Sequence, residues 1–252
     1  MDQLAKPGED LHLQVRLVTG GLAFFQRPIS GERIDFLVGD EVMGQSLSGG
    51  NGLAVRRYKP ETNGLQIVTV RLAGGGAYQA EPADIMVSVI PPETPILLVH
   101  LSSTKVPEEP PAVPFSPSPT SDAMVGSIET LEILSENHQL VYLETGTERR
   151  LPGSRGWLVD QGFPDAPLFT WSLSGPPENR KEAFLEKIEE LKAEGWRNIR
   201  GLVTRFPGEA DAVSGAGMKG VLMLDEDDDV EVGAAVVRVT SWDDVPVALK
   251  KH

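Results

Sequence analysis

Between residues 11 and 90 every stretch long enough to be regular is short, β-branched and bounded by turn formers, and the pattern stops at Pro91-Pro92. LHLQVRLV, AFFQRP, RIDFLVG, LAVRRY, LQIVTVRL and DIMVSVI each have strand length. Their spacing is close to the roughly 8–12 residues of sandwich strands. Alternation in LQIVTVRL and RIDFLV sends one set of side chains inward and the other to water. Gly49-Gly50-Asn51-Gly52 and Asn63-Gly64 supply the positive-φ residues that tight hairpins need. A chain patterned this way buries its apolar residues between sheets, not between helices.

The expected fold of this first part is an immunoglobulin-like β-sandwich over 1–92. Gly39-Asp40, Gly44, Asn51-Gly52-Leu53-Ala54 and Pro60 to Gly64 resemble the turns of bacterial immunoglobulin-like repeat domains, motifs that describe turns and not chemistry. Prolines 91, 92 and 95 disfavour both helix and ladder, and so mark a hand-over to a second domain, 93–252. There, strand-like PILLVH at 95–100, QLVYLE at 139–144, IRGLVTR at 199–205, GVLML at 220–224 and AAVVRVTSW alternate with helical periodicity. Met124, Ile128, Leu131 and Leu134 predict one helix after Ser121-Asp122, Asn179 to Glu194 a second, and Glu209 to Ala216 a short third. That order predicts an α/β domain on a parallel sheet, with its ligand site at strand carboxyl ends near 100–104, 144–147 and 204–209. A proline-rich loop, VPEEPPAVPFSPSPT at 106–120, interrupts it as a stiff connector or a docked partner motif.

Composition narrows function by exclusion. At 252 residues the chain has room for two cores. A net charge of −14 repels nucleic acid and anionic lipid, so neither is an expected partner. Residues 1–95 hold 8 Lys and Arg against 11 Asp and Glu, leaving 15 against 26 for the rest, so the acidity belongs mainly to the second domain. Without cysteine there is no disulfide, thiolate metal site or thiol nucleophile. No apolar run approaches the roughly 20 residues of a membrane helix, and no signal-like apolar region precedes the first strand; a cytoplasmic location is the expectation.

The stretch PILLVHLSST, with VYLE at 141–144, Gly153 to Trp157 and Gly162-Phe163-Pro164-Asp165-Ala166-Pro167, resembles the lipin and phosphatidate-phosphatase-like branch of the haloacid dehalogenase superfamily. The resemblance covers roughly 94–249 and implies that family's Rossmann-like parallel sheet. It also implies that catalytic groups are missing. Where the family carries Asp-x-Asp-x-Thr, this chain has His100, Leu101, Ser102, Ser103 and Thr104, so only the threonine persists. The family's phosphate-binding Thr or Ser falls on Glu144, and its lysine on Lys181. The distal Gly-Asp-x-x-x-Asp becomes Thr204 to Glu209, with Arg205 in place of a metal-binding acid and only Glu209 keeping a carboxylate. Carboxylates are needed there because an anionic oxygen both holds Mg²⁺ and attacks phosphorus.

The resulting expectation is a catalytically inactive pseudophosphatase, not an enzyme, needing no cofactor. It would bind or scaffold a protein partner through the sandwich edge, the proline loop or the vestigial cleft, with homo-oligomerisation left open. Two alternatives stand beside it: a divergent phosphohydrolase using residues foreign to the family, and an anion or phosphometabolite sensor in which Thr104, Lys181 and Arg205 hold the ligand. His100 could act as a nucleophile, but a histidine at a strand end is more commonly structural. The run Asp225 to Asp229 imitates the family's first motif and offers Asp225, Asp227 and Asp229 as a weak metal candidate, against the plain reading of a solvated turn.

Overall fold

The computed structural model describes residues 1–20, 26–106, 121–146, 151–171, 180–225, 228 and 230–250. The chain divides into two compact units, Met1–Pro91 and Pro92–His252. Among the described residues the elements of the first are strands: β1 (Gln3–Ala5), β2 (Leu11–Arg16), β3 (Arg33–Val38), β4 (Glu41–Leu47), β5 (Leu53–Tyr58), β6 (Gly64–Leu72) and β7 (Ala83–Val89). They form a mixed five-stranded sheet, β1-β7-β6-β3-β4, and a two-stranded sheet, β2-β5. β1 runs parallel to β7, and the other pairs are antiparallel. Leu13 and Ala54 from the smaller sheet meet Ile34, Phe36, Val68, Val70, Ile85, Val87 and Val89 from the larger. Burying each of these Leu, Ile, Val or Phe side chains contributes about 1.5–3 kcal/mol.

Two strands escape the sequence pattern. β1 is three residues long, too short for periodicity, and exists because β7 offers it a parallel ladder. β4, EVMGQSL, alternates poorly because Gly44 sits at a bulge opposite Phe36 and Leu37. A side chain at Gly44 would collide with the Arg56 guanidinium, which donates to the Met43 carbonyl. Of the expected strand AFFQRP, residues 23–25 lie outside the described residues, and Pro28 makes only an isolated bridge to Val18.

The second unit is built on a six-stranded, wholly parallel sheet in the order β10-β9-β8-β11-β12-β13. Its strands are β8 (Ile96–His100), β9 (Gln139–Thr145), β10 (Leu168–Trp171), β11 (Ile199–Thr204), β12 (Lys219–Met223) and β13 (Val237–Val239). Its helices are α1 (Ser127–Ser135), α2 (Leu151–Gln161), α3 (Arg180–Ala193), α4 (Pro207–Gly215) and α5 (Val245–Lys250). Ile96, Leu97, Leu98 and Val99 are all inaccessible, as a central strand covered on both faces requires. Leu97, Val99, Tyr142, Val203 and Val221 pack under Leu131, Trp157 and Val245 of α1, α2 and α5. The alternate residues face α3 and α4, with Leu222 against Ala210. The expected helix after Ser121 begins later than predicted, because Gly126 takes a positive φ of 76° and serves as N-cap. Most of the proline-rich segment lies outside the described residues; the chain on either side pairs, Val106 N–H to the Asp122 carbonyl and Met124 N–H to that of Thr104.

In sheet order, the first strand of this unit, β8, lies between its second, β9, and its fourth, β11. Connections therefore leave in opposite directions on the two sides of β8, and the boundary between β8 and β11 is a topological switch point. Such a switch point is where open α/β sheets bind ligands.

Candidate functional site

His100 is the last residue of β8, is 4% exposed and caps the short turn Leu101–Ser103. Its Nδ1 accepts the Ser102 backbone N–H at 3.1 Å and lies 2.8 Å from Ser102 Oγ. A backbone N–H can only donate, so Nδ1 is unprotonated and the neutral ring keeps its hydrogen on Nε2. Nε2 donates to Thr145 Oγ1 at 3.1 Å. Burial, then the charges of Arg180 and Lys105, push the His100 pKa down to about 3.

The network continues across the switch point. Thr145 Oγ1 accepts from Arg180 Nη2 at 2.7 Å. Arg180 places Nε and Nη2 on Glu209 Oε1 at 3.0 and 2.8 Å, and its guanidinium lies 4.0 Å over the Phe206 ring. Phe206 meets His100 edge-on, with ring centres 4.9 Å apart. Glu209 is inaccessible to solvent, and its Oε2 accepts from Thr204 Oγ1 at 2.8 Å. Burial raises the Glu209 carboxyl pKa, while Thr204 and Arg180 oppose the rise. Pro207 at the first turn of α4 sets the helix start that carries Glu209 beneath Thr204. Ser102, His100, Thr145, Arg180, Glu209 and Thr204 thus form one hydrogen-bonded chain over the ends of β8, β9 and β11.

Strand alternation separates the residues singled out from sequence. His100 and Glu209 belong to the α3–α4 side, and Ser102 bonds to His100 there. Glu144 turns to the other face, where its Oε2 accepts from Ser154 Oγ of α2 at 2.7 Å. Arg205 also leaves the cluster: Nη1 and Nη2 each donate to Asp225 at 3.1 Å, and Nη2 approaches Met124 Sδ at 3.3 Å. That pairing holds the Asp225 carboxyl below its ordinary range, chiefly through the hydrogen bond from Arg205. Thr104 is inaccessible and donates to the Leu101 carbonyl, so it closes its own turn. Lys181 is exposed, and the cation brought to the strand ends is its neighbour Arg180. One residue along a helix is a rotation of about 100°, which is why a sequence position could not choose between them. Thr145, Thr204 and Phe206 lie in the segments marked from sequence as strand ends but receive no role there, and Arg180 is passed over for Lys181. Asp227 and Asp229 lie outside the described residues. Among the described residues no group of three or more His, Asp or Glu is placed to hold a metal ion.

No protein-family model matches this chain, and no curated protein matches it. Among solved structures it is similar to the fibronectin(III)-like modules of Clostridium thermocellum CbhA, at 18% identity over 35% of this chain and 86% of that one, with a TM-score of 0.24. It is similar to a family 123 glycoside hydrolase from Clostridium perfringens at 10% identity, covering 92% of this chain and 60% of that one, with a TM-score of 0.22. A sialyltransferase from Photobacterium damsela matches at 10% identity over 88% of this chain and 43% of that one, again with a TM-score of 0.22. Likenesses of this size carry no argument about what the chain does.

Proposed function

We propose that this chain is a non-catalytic binding protein, an immunoglobulin-like sandwich followed by a haloacid dehalogenase-like domain of the lipin branch that has lost its phosphotransfer groups. One observation carries the reading: at the switch point the buried carboxylate of Glu209 is neutralised by Arg180 and hydrogen-bonded by Thr204. A carboxylate held in that way is not available to a hard divalent cation. The nucleophile position is held by a neutral imidazole with both ring nitrogens hydrogen-bonded. The central placement of β8 beside β9 and β11 supports the fold half of the proposal. A cytoplasmic site of action and a protein partner remain part of this reading; among the described residues no helix is long and apolar enough to cross a membrane.

The observation that favours a hydrolytic alternative is the 2.8 Å approach of Ser102 Oγ to His100 Nδ1, the contact of a nucleophile with its base. A general base works best with a pKa near the operating pH, and His100 lies far below it. The sensor alternative needs Thr104, Lys181 and Arg205 together, whereas Thr104 closes a turn, Lys181 is exposed and Arg205 holds Asp225. The test is hydrolysis of p-nitrophenyl phosphate and of phosphatidate with magnesium. We expect none, and turnover that is lost in His100→Ala or Asp225→Ala protein would overturn the proposal.

A further inference from the structure

We propose that the outer surface of α1 and the adjoining α5 is a docking face for a cationic amphipathic helix of a partner protein, an inference that rests on the non-catalytic binding role. α1 buries Ser127, Thr130, Leu131 and Leu134. Its opposite side carries Glu129, Glu132, Ile133 and Glu136, spaced so that they share one helical face. Ile133 is 61% exposed, Val125 just before the helix 93%, and Val247 on α5 56%. The two helices are neighbours: α1 packs beside α5 and beside the Trp242–Asp244 turn, where Thr130 Oγ1 reaches the Trp242 carbonyl.

Glu129 in the first turn suits the helix dipole and α5 adds the exposed Lys250, but the remaining charges of α1 work against the fold. Glu129 and Glu132 are three apart and Glu132 and Glu136 four apart, spacings at which like charges repel. Glu136 occupies the C-cap, and the last turn holds no basic residue, so its charge opposes the helix dipole. Among the described residues, no ion pair or side-chain hydrogen bond is made by the carboxylates of Glu129, Glu132, Glu136 or Asp244. Helix α3, on the other face of the same sheet, shows the ordinary solution: Lys187 pairs with Glu190 and Lys192 with Glu189. An exposed helix left with like charges and projecting aliphatic side chains violates local rules where a binding site would, and a helix presenting Leu beside Lys or Arg would satisfy both features. Anionic lipid and a second copy of this acidic face are both disfavoured by charge.

The probe is a fluorescent amphipathic peptide of about 18 residues, Leu on one face and Lys on the other, read by anisotropy against the full chain; its length matches the few turns of helix typical of groove-docked ligands. Expected is saturable binding that weakens with salt and maps to α1 and α5 by hydrogen exchange. A charge variant, Glu129→Gln/Glu132→Gln/Glu136→Gln, and an apolar variant, Ile133→Ser/Val247→Ser, should each weaken it by roughly tenfold, the effect of losing one anchor. Unchanged binding by the apolar variant would reveal mere charge attraction and overturn the inference, as would a footprint elsewhere, or no binding. A dimer in sedimentation that Ile133→Ser dissolves would assign the face to self-association and overturn it too. Absence of peptide binding without phosphatase turnover removes this inference alone, whereas turnover removes the non-catalytic reading whatever the peptide does.

Discussion

Replacing His100 by Asn should flatten the acid side of the stability curve of the second unit. In the native chain His100 titrates at about 3, held there by burial and by Arg180. In the unfolded chain it should return to about 6.5. Between those values the unfolded state binds a proton that the native state refuses, so native stability is intact above the unfolded value and falls as pH drops toward 3. At pH 4 that difference amounts to roughly 3 kcal/mol. Glu209 acts in the opposite sense: its raised pKa makes the native state the better proton binder, so it offsets part of the acid loss in both proteins. The comparison between wild type and variant removes that shared contribution. Asn is a good replacement because its Oδ1 can still accept the Ser102 N–H as an N-cap, while the bond from Nε2 to Thr145 is lost. We expect the variant to lose about 1–3 kcal/mol at pH 7.5, from the lost polar bond and packing. From pH 7.5 to 4 it should then fall by about 3 kcal/mol less than wild type. Urea unfolding followed by tryptophan fluorescence isolates the relevant unit, since tryptophans 157, 171, 196 and 242 all lie in Pro92–His252. Parallel losses in the two proteins across this pH range would refute the buried neutral histidine.

Arg180→Met leaves the Glu209 carboxylate buried with Thr204 alone and should cost about 3–5 kcal/mol in urea unfolding, while Arg180→Met/Glu209→Leu should recover most of it; a double variant no more stable than the single would count against the pair. Gly220→Ala should cost about 1–3 kcal/mol, because the added methyl would lie 2.3 Å from the Ala210 carbonyl and force α4 off β12; an unchanged melting temperature would show that α4 packs less closely. Asp225→Asn should cost no more than about 1 kcal/mol, since Asp225 is 58% exposed and an amide oxygen still accepts from Arg205; a larger loss in the same assay would mean that the pair supports the strand end.

Sequence alone determined the change from sandwich-like strands to alternating strands and helices at the prolines, because hydrophobic period and proline chemistry are local properties. It placed β2, β3, β5, β6 and β7, and β8, β9, β11 and β12, within a residue or two. It also identified His100, Ser102 and Glu209 as residues at the strand tips. It did not show β1 or β4, whose existence depends on partners distant in the chain, nor α2 and β10, which lack a clean apolar period.

Tertiary structure alone decided which of the marked residues meet. Pleating sends Glu144 and Arg205 to one face and His100 to the other, and helical rotation turns Arg180 inward while Lys181 faces water. The charge that neutralises Glu209, and the hydroxyl of Thr145 that joins His100 to Arg180, arrive from separate elements. Their contact depends on how β8, β9, α3 and α4 pack, a long-range arrangement that no local pattern of residues encodes.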